Sequence, residues 1–259
     1  MIKLAAFDVD GTLRDRDYLP DSTREALKKL KEHGVQLALC TGRPEFEMAS
    51  LRQELGIDWA ITCNGSHIGY RGQTVVGNPF PQETIRRWLA EAERSNHYLL
   101  LYGADLMYCN GADDTLFRQA QQEIGFMEPI PLDTAGDIPD MFQVIVFCTE
   151  EDEYAYTGTG DERAGYYLHR WRPWALDINP NGRHKAIGLS LLLDHLGIAP
   201  EEAAAFGDGG NDYELLQAVG TGIAMGNADD RLKGVAQRVT RSLHEDGIAY
   251  AVNEWLVKK

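Results

Sequence analysis

Apolar and polar residues follow two different rhythms along the 259-residue chain. In its first part, short apolar runs alternate with amphipathic helical patterns. The spacing predicts strands over 2–8, 35–40 and 59–63 and helices over 22–33 and 45–55, the helices stopped by Gly34 and Gly56. Such alternation is what a parallel α/β sheet requires. Between 64 and 81, Gly65, Gly69, Gly72 and Gly77 break up short β-prone pieces, as in a hairpin leading out of the sheet. The middle changes character, with a helix expected over 82–95, a strand over 97–109, a helix over 113–124 and an alternating strand over 141–149. After Pro180-Asn181-Gly182 the first rhythm returns, in helices over 183–196, 211–219, 228–235 and 246–257 and strands over 203–206, 221–225 and 236–240. The expected architecture is a parallel α/β core of residues 1–81 and 183–259, interrupted by an α+β domain over 82–182.

Charge sharpens that boundary. Residues 82–182 carry 18 Asp and Glu against 7 Arg and no Lys, a net of −11, whereas the remainder carries 22 against 18, a net of −4. The total of −15 argues against a nucleic-acid partner, because affinity for phosphate backbones comes from Lys and Arg, and against an anionic membrane. The N-terminus reaches Asp8 too soon for a signal peptide, and no run approaches the roughly 18 apolar residues of a membrane span, so a cytoplasmic protein is expected. There the Asn64-Gly65-Ser66 sequon carries no meaning for glycosylation. Cys40, Cys63, Cys109 and Cys148 form no CxxC pair and read as reduced, mostly buried thiols.

Three clusters and one lysine carry candidate chemistry. Asp8-Val9-Asp10-Gly11-Thr12 ends the first strand, where ligands of an open α/β sheet bind, and alternation puts Asp8 and Asp10 on the same side. The segment fails as an EF-hand, with Gly at loop position 4 and Leu19 at position 12, though a polar strand-to-turn junction remains open. Gly207-Asp208-Gly209-Gly210-Asn211-Asp212 follows a later strand, either to meet the first pair around a hard divalent cation or simply to turn and cap a helix. Thr41-Gly42-Arg43 precedes a helix, as a phosphate seat or an ordinary Thr cap. Lys185 opens the helix after the insertion, a position where most lysines are solvated. Neither a P-loop, an HExxH nor a GxSxG is present.

Taken in order, Asp8-Val9-Asp10-Gly11-Thr12, Thr41-Gly42-Arg43, Lys185 and Gly207 to Asp212 resemble the four motifs of the haloacid dehalogenase-like superfamily. The large insertion between the second and third motifs, with Gly222 to Ala228 and Glu245 to Ala249 in the tail, is similar to the Cof-type sugar-phosphate phosphatases. The resemblance implies a Rossmann-like core with the insertion as a cap that sets substrate choice. It implies a phosphatase acting on a small phosphorylated metabolite, with Asp8 as nucleophile, Asp10 as general acid and base, and Thr41, Gly42, Arg43, Asn211 and Lys185 around the phosphoryl group. Mg²⁺ would be held by Asp8, the Asp10 carbonyl and Asp208, with Asp212 behind them. A phosphomutase or a non-catalytic binder of a phosphorylated metabolite is the alternative, in a monomer or small homo-oligomer. The arginine- and aromatic-rich segment from Arg163 to Trp174 reads as a cap strand packing its rings inward and is not counted in the site.

Overall fold

The apolar runs at the two ends of the chain pair with each other. A computed structural model describes residues 1–180 and 182–257; Asn181, at the expected return to the core, and Lys258 and Lys259 lie outside the described residues. The chain first forms strands β1 (Leu4–Phe7), β2 (Gln36–Cys40), β3 (Trp59–Thr62), β4 (His67–Tyr70) and β5 (Gln73–Gly77). Next come β6 (Tyr98–Tyr102), β7 (Met107–Cys109), β8 (Ile130–Pro131), β9 (Gln143–Phe147), β10 (Tyr166–Arg172) and β11 (Ala175–Pro180). Strands β12 (Ala203–Gly207), β13 (Thr221–Ala224) and β14 (Arg238–Val239) complete the set.

One sheet runs β14-β13-β12-β1-β2-β3-β4-β5, the other β10-β11-β9-β6-β7-β8. In the first, β1 lies parallel to both β2 and β12, with Leu4 opposite Gln36 and Ala203, while β3, β4 and β5 turn antiparallel through the glycine-punctuated segment. Strand β1 is buried on both faces, which explains its unbroken apolar run. Ala5 and Phe7 pack on one face against the helices Asp21–Glu32 and Glu45–Leu55, through residues such as Leu27, Leu30 and Met48. Leu4 and Ala6 pack on the other face against Leu189 and Leu192 of the helix Lys185–Leu196 and Leu215 of Tyr213–Gln217.

Chain order leaves β1 in both directions, through β2 and β3 on one side and β12 to β14 on the other. That reversal opens a crevice beyond the C-terminal ends of β1 and β12, the place where such sheets bind ligands. Asp8 and Asp208 are the residues that leave those two ends.

The second sheet is antiparallel except for β7 with β8. The helix Gln82–Ser95 lays Ile85, Trp88 and Ala92 on one face, and Thr115–Ile124 lays Phe117 and Ala120 on the other, in a cluster that also takes in Cys63 of the first unit. The single strand expected over 97–109 is instead the β6–β7 hairpin, closed by the Gly103 amide on the Leu106 carbonyl at 3.0 Å. The helix expected over 211–219 starts as a 3₁₀ turn, Gly210–Asp212, and the one expected over 246–257 is α-helical over Gly247–Ala251 and continues as a π turn, Val252–Leu256. All four cysteines are free and buried. Among the described residues no helix is long and apolar enough to cross a membrane.

Gly188 shows how closely the helix after the insertion seats on the core. A Cβ there would lie 2.6 Å from Ile61 Cγ2 and 2.7 Å from the Gly65 Cα. On an open helix Gly→Ala gains about 1 kcal/mol. Gly188→Ala is expected to reverse that sign and lose roughly 1–3 kcal/mol by overpacking, read from the urea midpoint at unchanged slope.

Candidate active site

Asp8 follows β1, its amide bonded to the Phe206 carbonyl at 2.9 Å, so the sheet itself aims the residue into the crevice. Asp208 and Asp212 come from the turn after β12, and each of the three aspartates offers a carboxylate oxygen within 4.8 Å of the others. Asp212 Oδ2 accepts from the Asp208 amide at 3.1 Å and the Gly209 amide at 3.0 Å, which winds the turn tightly and frees Oδ1 to face the crevice. Asp208 Oδ1 accepts from the Thr12 hydroxyl at 2.7 Å, and its Oδ2 from Asn227 Nδ2 at 3.2 Å. Gly11, at φ +87°, is required twice over: the conformation disfavours a side chain, and a Cβ would overlap the Asp208 carboxylate.

Lys185 supplies the local countercharge. Only 1% exposed, its Nζ donates to Asp8 Oδ1 at 2.6 Å and Asp212 Oδ1 at 2.7 Å. Burial opposes the ammonium charge, but Asp212 and Asp8 outweigh it and push the Lys185 pKa up. Burial raises the Asp8 carboxyl well above the usual range; Lys185 pulls it down, and Asp212 and Asp208 push it further up. Asp208 is pushed up to about 6, chiefly by burial, against the pull of the Thr12 hydrogen bond. Three carboxylates facing one ammonium leave two negative charges in excess, and hard oxygen donors with that surplus suit a divalent cation.

Asp10 stands apart from this cluster. Its carboxylate takes Arg43 Nε at 2.6 Å and Nη2 at 3.1 Å, and is 46% exposed. The same guanidinium donates to Glu47 at 2.9 Å and to the Ile124 carbonyl, on the second sheet's unit, at 3.2 Å. The Thr41 hydroxyl accepts from the Arg43 amide at 3.1 Å; the helix that follows begins after Pro44 without a side-chain cap, so Thr41 does not cap it. Asn211 Nδ2 reaches Asn64 Oδ1 at 3.0 Å, and Gly42 lies against the same Asn64 side chain.

The structure also places residues here that sequence reasoning passed over. Asn64, Gln143, Asp177 and Asn179 form a buried polar group beside the crevice, and Trp171 Nε1 donates to Asp177 at 2.7 Å. Burial holds the Asp177 carboxyl up at about 7, against the Trp171 and Asn64 hydrogen bonds. Strand pairing sets His169 opposite Asp177, and the His169 ring lies near Gly210. The one available signal was Asn64-Gly65 directly after a predicted strand, which reads equally well as a turn.

The sheet's switch point thus carries three carboxylates that could hold a metal ion, with a buried lysine beside them. Residues 5–252 match the family model of haloacid dehalogenase-like hydrolases, and the chain belongs to that family. It is 35% identical to YkrA of Bacillus subtilis, provisionally named a phosphatase, over 97% of each chain. It is 30% identical, again over 97% of each, to the Bacillus subtilis 5-amino-6-(5-phospho-D-ribitylamino)uracil phosphatase YitU. The solved structure of a sugar phosphatase, BT4131, superimposes with a TM-score of 0.82 at 27% identity, over 96% of this chain and 97% of that one.

The raised carboxyls set a direction for pH. Asp208 ionises near about 4 in an unfolded chain and at about 6 in the fold, so without a cation its contribution to stability is present below the lower value and lost as pH rises through the higher one. A bound cation replaces the proton. The melting temperature with a divalent cation minus that in chelator should therefore grow between about pH 5 and about pH 7; a flat or shrinking difference would contradict the assignment of this cluster as the cation seat.

Proposed function

We propose that this protein is a cytoplasmic, Mg²⁺-dependent phosphatase that hydrolyses a small phosphomonoester, a sugar phosphate or similar metabolite, through an aspartyl-phosphate on Asp8. Residues 82–182 serve as the cap over a catalytic core of 1–81 and 183–259. The observation that carries this reading is the Asp8 carboxylate held by Lys185 at 2.6 Å among Asp208 and Asp212. The relatives named as phosphatases of a ribityl phosphate and of sugars support the substrate class.

Two anions, carboxylate and phosphomonoester, must approach each other, and fixed positive charge in a water-poor site is what lowers that barrier. Mg²⁺, held by Asp8, the Asp10 carbonyl and Asp208 with Asp212 behind them, would supply charge neutralisation. Lys185, Thr41, the Gly42 amide and Asn211 hold the phosphoryl oxygens, with Arg43 at the same loop. An Asp8 oxygen attacks phosphorus, the ester bond breaks, and the departing alcohol oxygen takes a proton from Asp10. Asp10, now ionised, takes a proton from water as that water attacks the aspartyl-phosphate, releasing inorganic phosphate and restoring Asp8. One residue serves both steps because the first leaves it deprotonated. Being half exposed, the Asp10 carboxylate has room to exchange Arg43 for the leaving oxygen.

Phosphate release measured across sugar, nucleotide and vitamin phosphates, with Mg²⁺ and with chelator, tests the proposal. Asp8→Asn is expected to lower turnover by on the order of a thousandfold or more; near-wild-type release would remove Asp8 as nucleophile. Asp10→Asn should lose at least about tenfold more on alkyl phosphates than on p-nitrophenyl phosphate, whose leaving group needs no proton. An equal loss on both would remove Asp10 as the acid.

A further inference from the structure

The turn that ends β3 is held in a conformation its residues do not favour. Cys63 and Asn64 both lie in the left-handed region, at φ 49° and 50°, and Gly65 follows at φ 96°. A non-glycine residue there costs about 1–2 kcal/mol and persists only where its surroundings fix it. Those surroundings include the phosphate loop: the Cys63 amide donates to the Arg43 carbonyl at 3.0 Å and the Asn64 amide to the Thr41 carbonyl at 3.1 Å. The second sheet closes the other side, with Asn179 Nδ2 on the Cys63 carbonyl at 2.8 Å.

The strain presents one fully buried amide to both halves of the molecule. Asn64 Nδ2 faces Gln143 Oε1 at 3.1 Å, Asp177 Oδ2 at 3.4 Å and Asn179 Oδ1 at 3.4 Å, all on β9 and β11. Its Oδ1 accepts from Asn211 at 3.0 Å, and a Cβ on Gly42 would lie 3.2 Å from either end of the amide. We propose that Asn64 is a positioning residue that couples docking of the cap to placement of the phosphoryl-binding Asn211. Lifting the cap removes the acceptors that orient the Asn64 amide, and Asn211 then loses its fixed partner. Closure and phosphate binding thereby strengthen each other, as linkage demands of two coupled equilibria. The inference rests on the proposed phosphatase site, specifically on Asn211 touching the phosphoryl group.

Inorganic phosphate, in the presence of Mg²⁺, is the probe, with its inhibition constant read beside KM and kcat. Asn64→Gly suits the left-handed backbone and deletes only the amide. Asn64→Gly and Asn211→Ala are each expected to weaken phosphate about tenfold, the scale of one lost buried hydrogen bond. The double variant should be no weaker than Asn211→Ala to within about twofold. A double variant about a hundredfold weaker would mean that Asn64 acts independently of Asn211, which overturns the coupling. If Asn211→Ala weakens phosphate and Asn64→Gly does not, the coupling alone falls. If Asn211→Ala changes nothing, the phosphatase site as proposed fails and takes the coupling with it. Should Asn64→Gly not fold by circular dichroism, Gln143→Met decides from the cap side: weakening of about threefold supports the coupling, and no change overturns it.

Discussion

One ammonium group between carboxylates organises this molecule. Lys185 Nζ bridges Asp8 and Asp212, which reach it from the two sides of the sheet reversal, with Asp208 close by. Removing water from such a cluster is costly unless opposite charge is close, so loss of the lysine would leave the carboxylates buried without compensation. The tight approaches follow from this. Gly11 makes room for the Asp208 carboxylate, Gly207 for Asp212, and Gly188 lets the Lys185 helix settle on the turn after β3.

The parallel core was legible because its physics leaves a simple trace. Strands such as β1 and β12, covered on both faces, must be continuously apolar, and their ends must carry the polar residues that face a ligand. Asp8, Asp208 and Asp212 were readable for the same reason. Partners were not. An Arg fork after Thr41-Gly42 suggests a phosphate, yet here its donors are engaged by Asp10, Glu47 and the Ile124 carbonyl, and no local pattern tells which acceptor such a side chain meets.

The second sheet was harder to read because part of the face it turns toward the first unit is polar. In β11, Asp177 and Asn179 alternate with Leu176 and Ile178, the ordinary signature of a strand with one face in water. In the fold both polar residues are buried, because another polar group, Asn64, faces them across the junction. A sequence records that such residues are hydrophilic and says nothing about who satisfies them. The β6–β7 hairpin escaped for a smaller reason: its turn is marked only by Gly103-Ala104-Asp105 within an otherwise strand-like run.

Strand β1 also has a history in time. It is hydrogen-bonded on one side to β2, close by in sequence, and on the other to β12, which begins at Ala203. The second sheet draws all its strands from one contiguous stretch, Tyr98 to Pro180. On a ribosome the N-terminal parts emerge first, and contacts between distant segments form late. Asp8, at the end of β1, therefore lacks its partners until Lys185, Asp208 and Asp212 have been made. The charged centre is built from segments far apart in sequence, and a product that stops before Lys185 holds Asp8 without the ammonium that faces it.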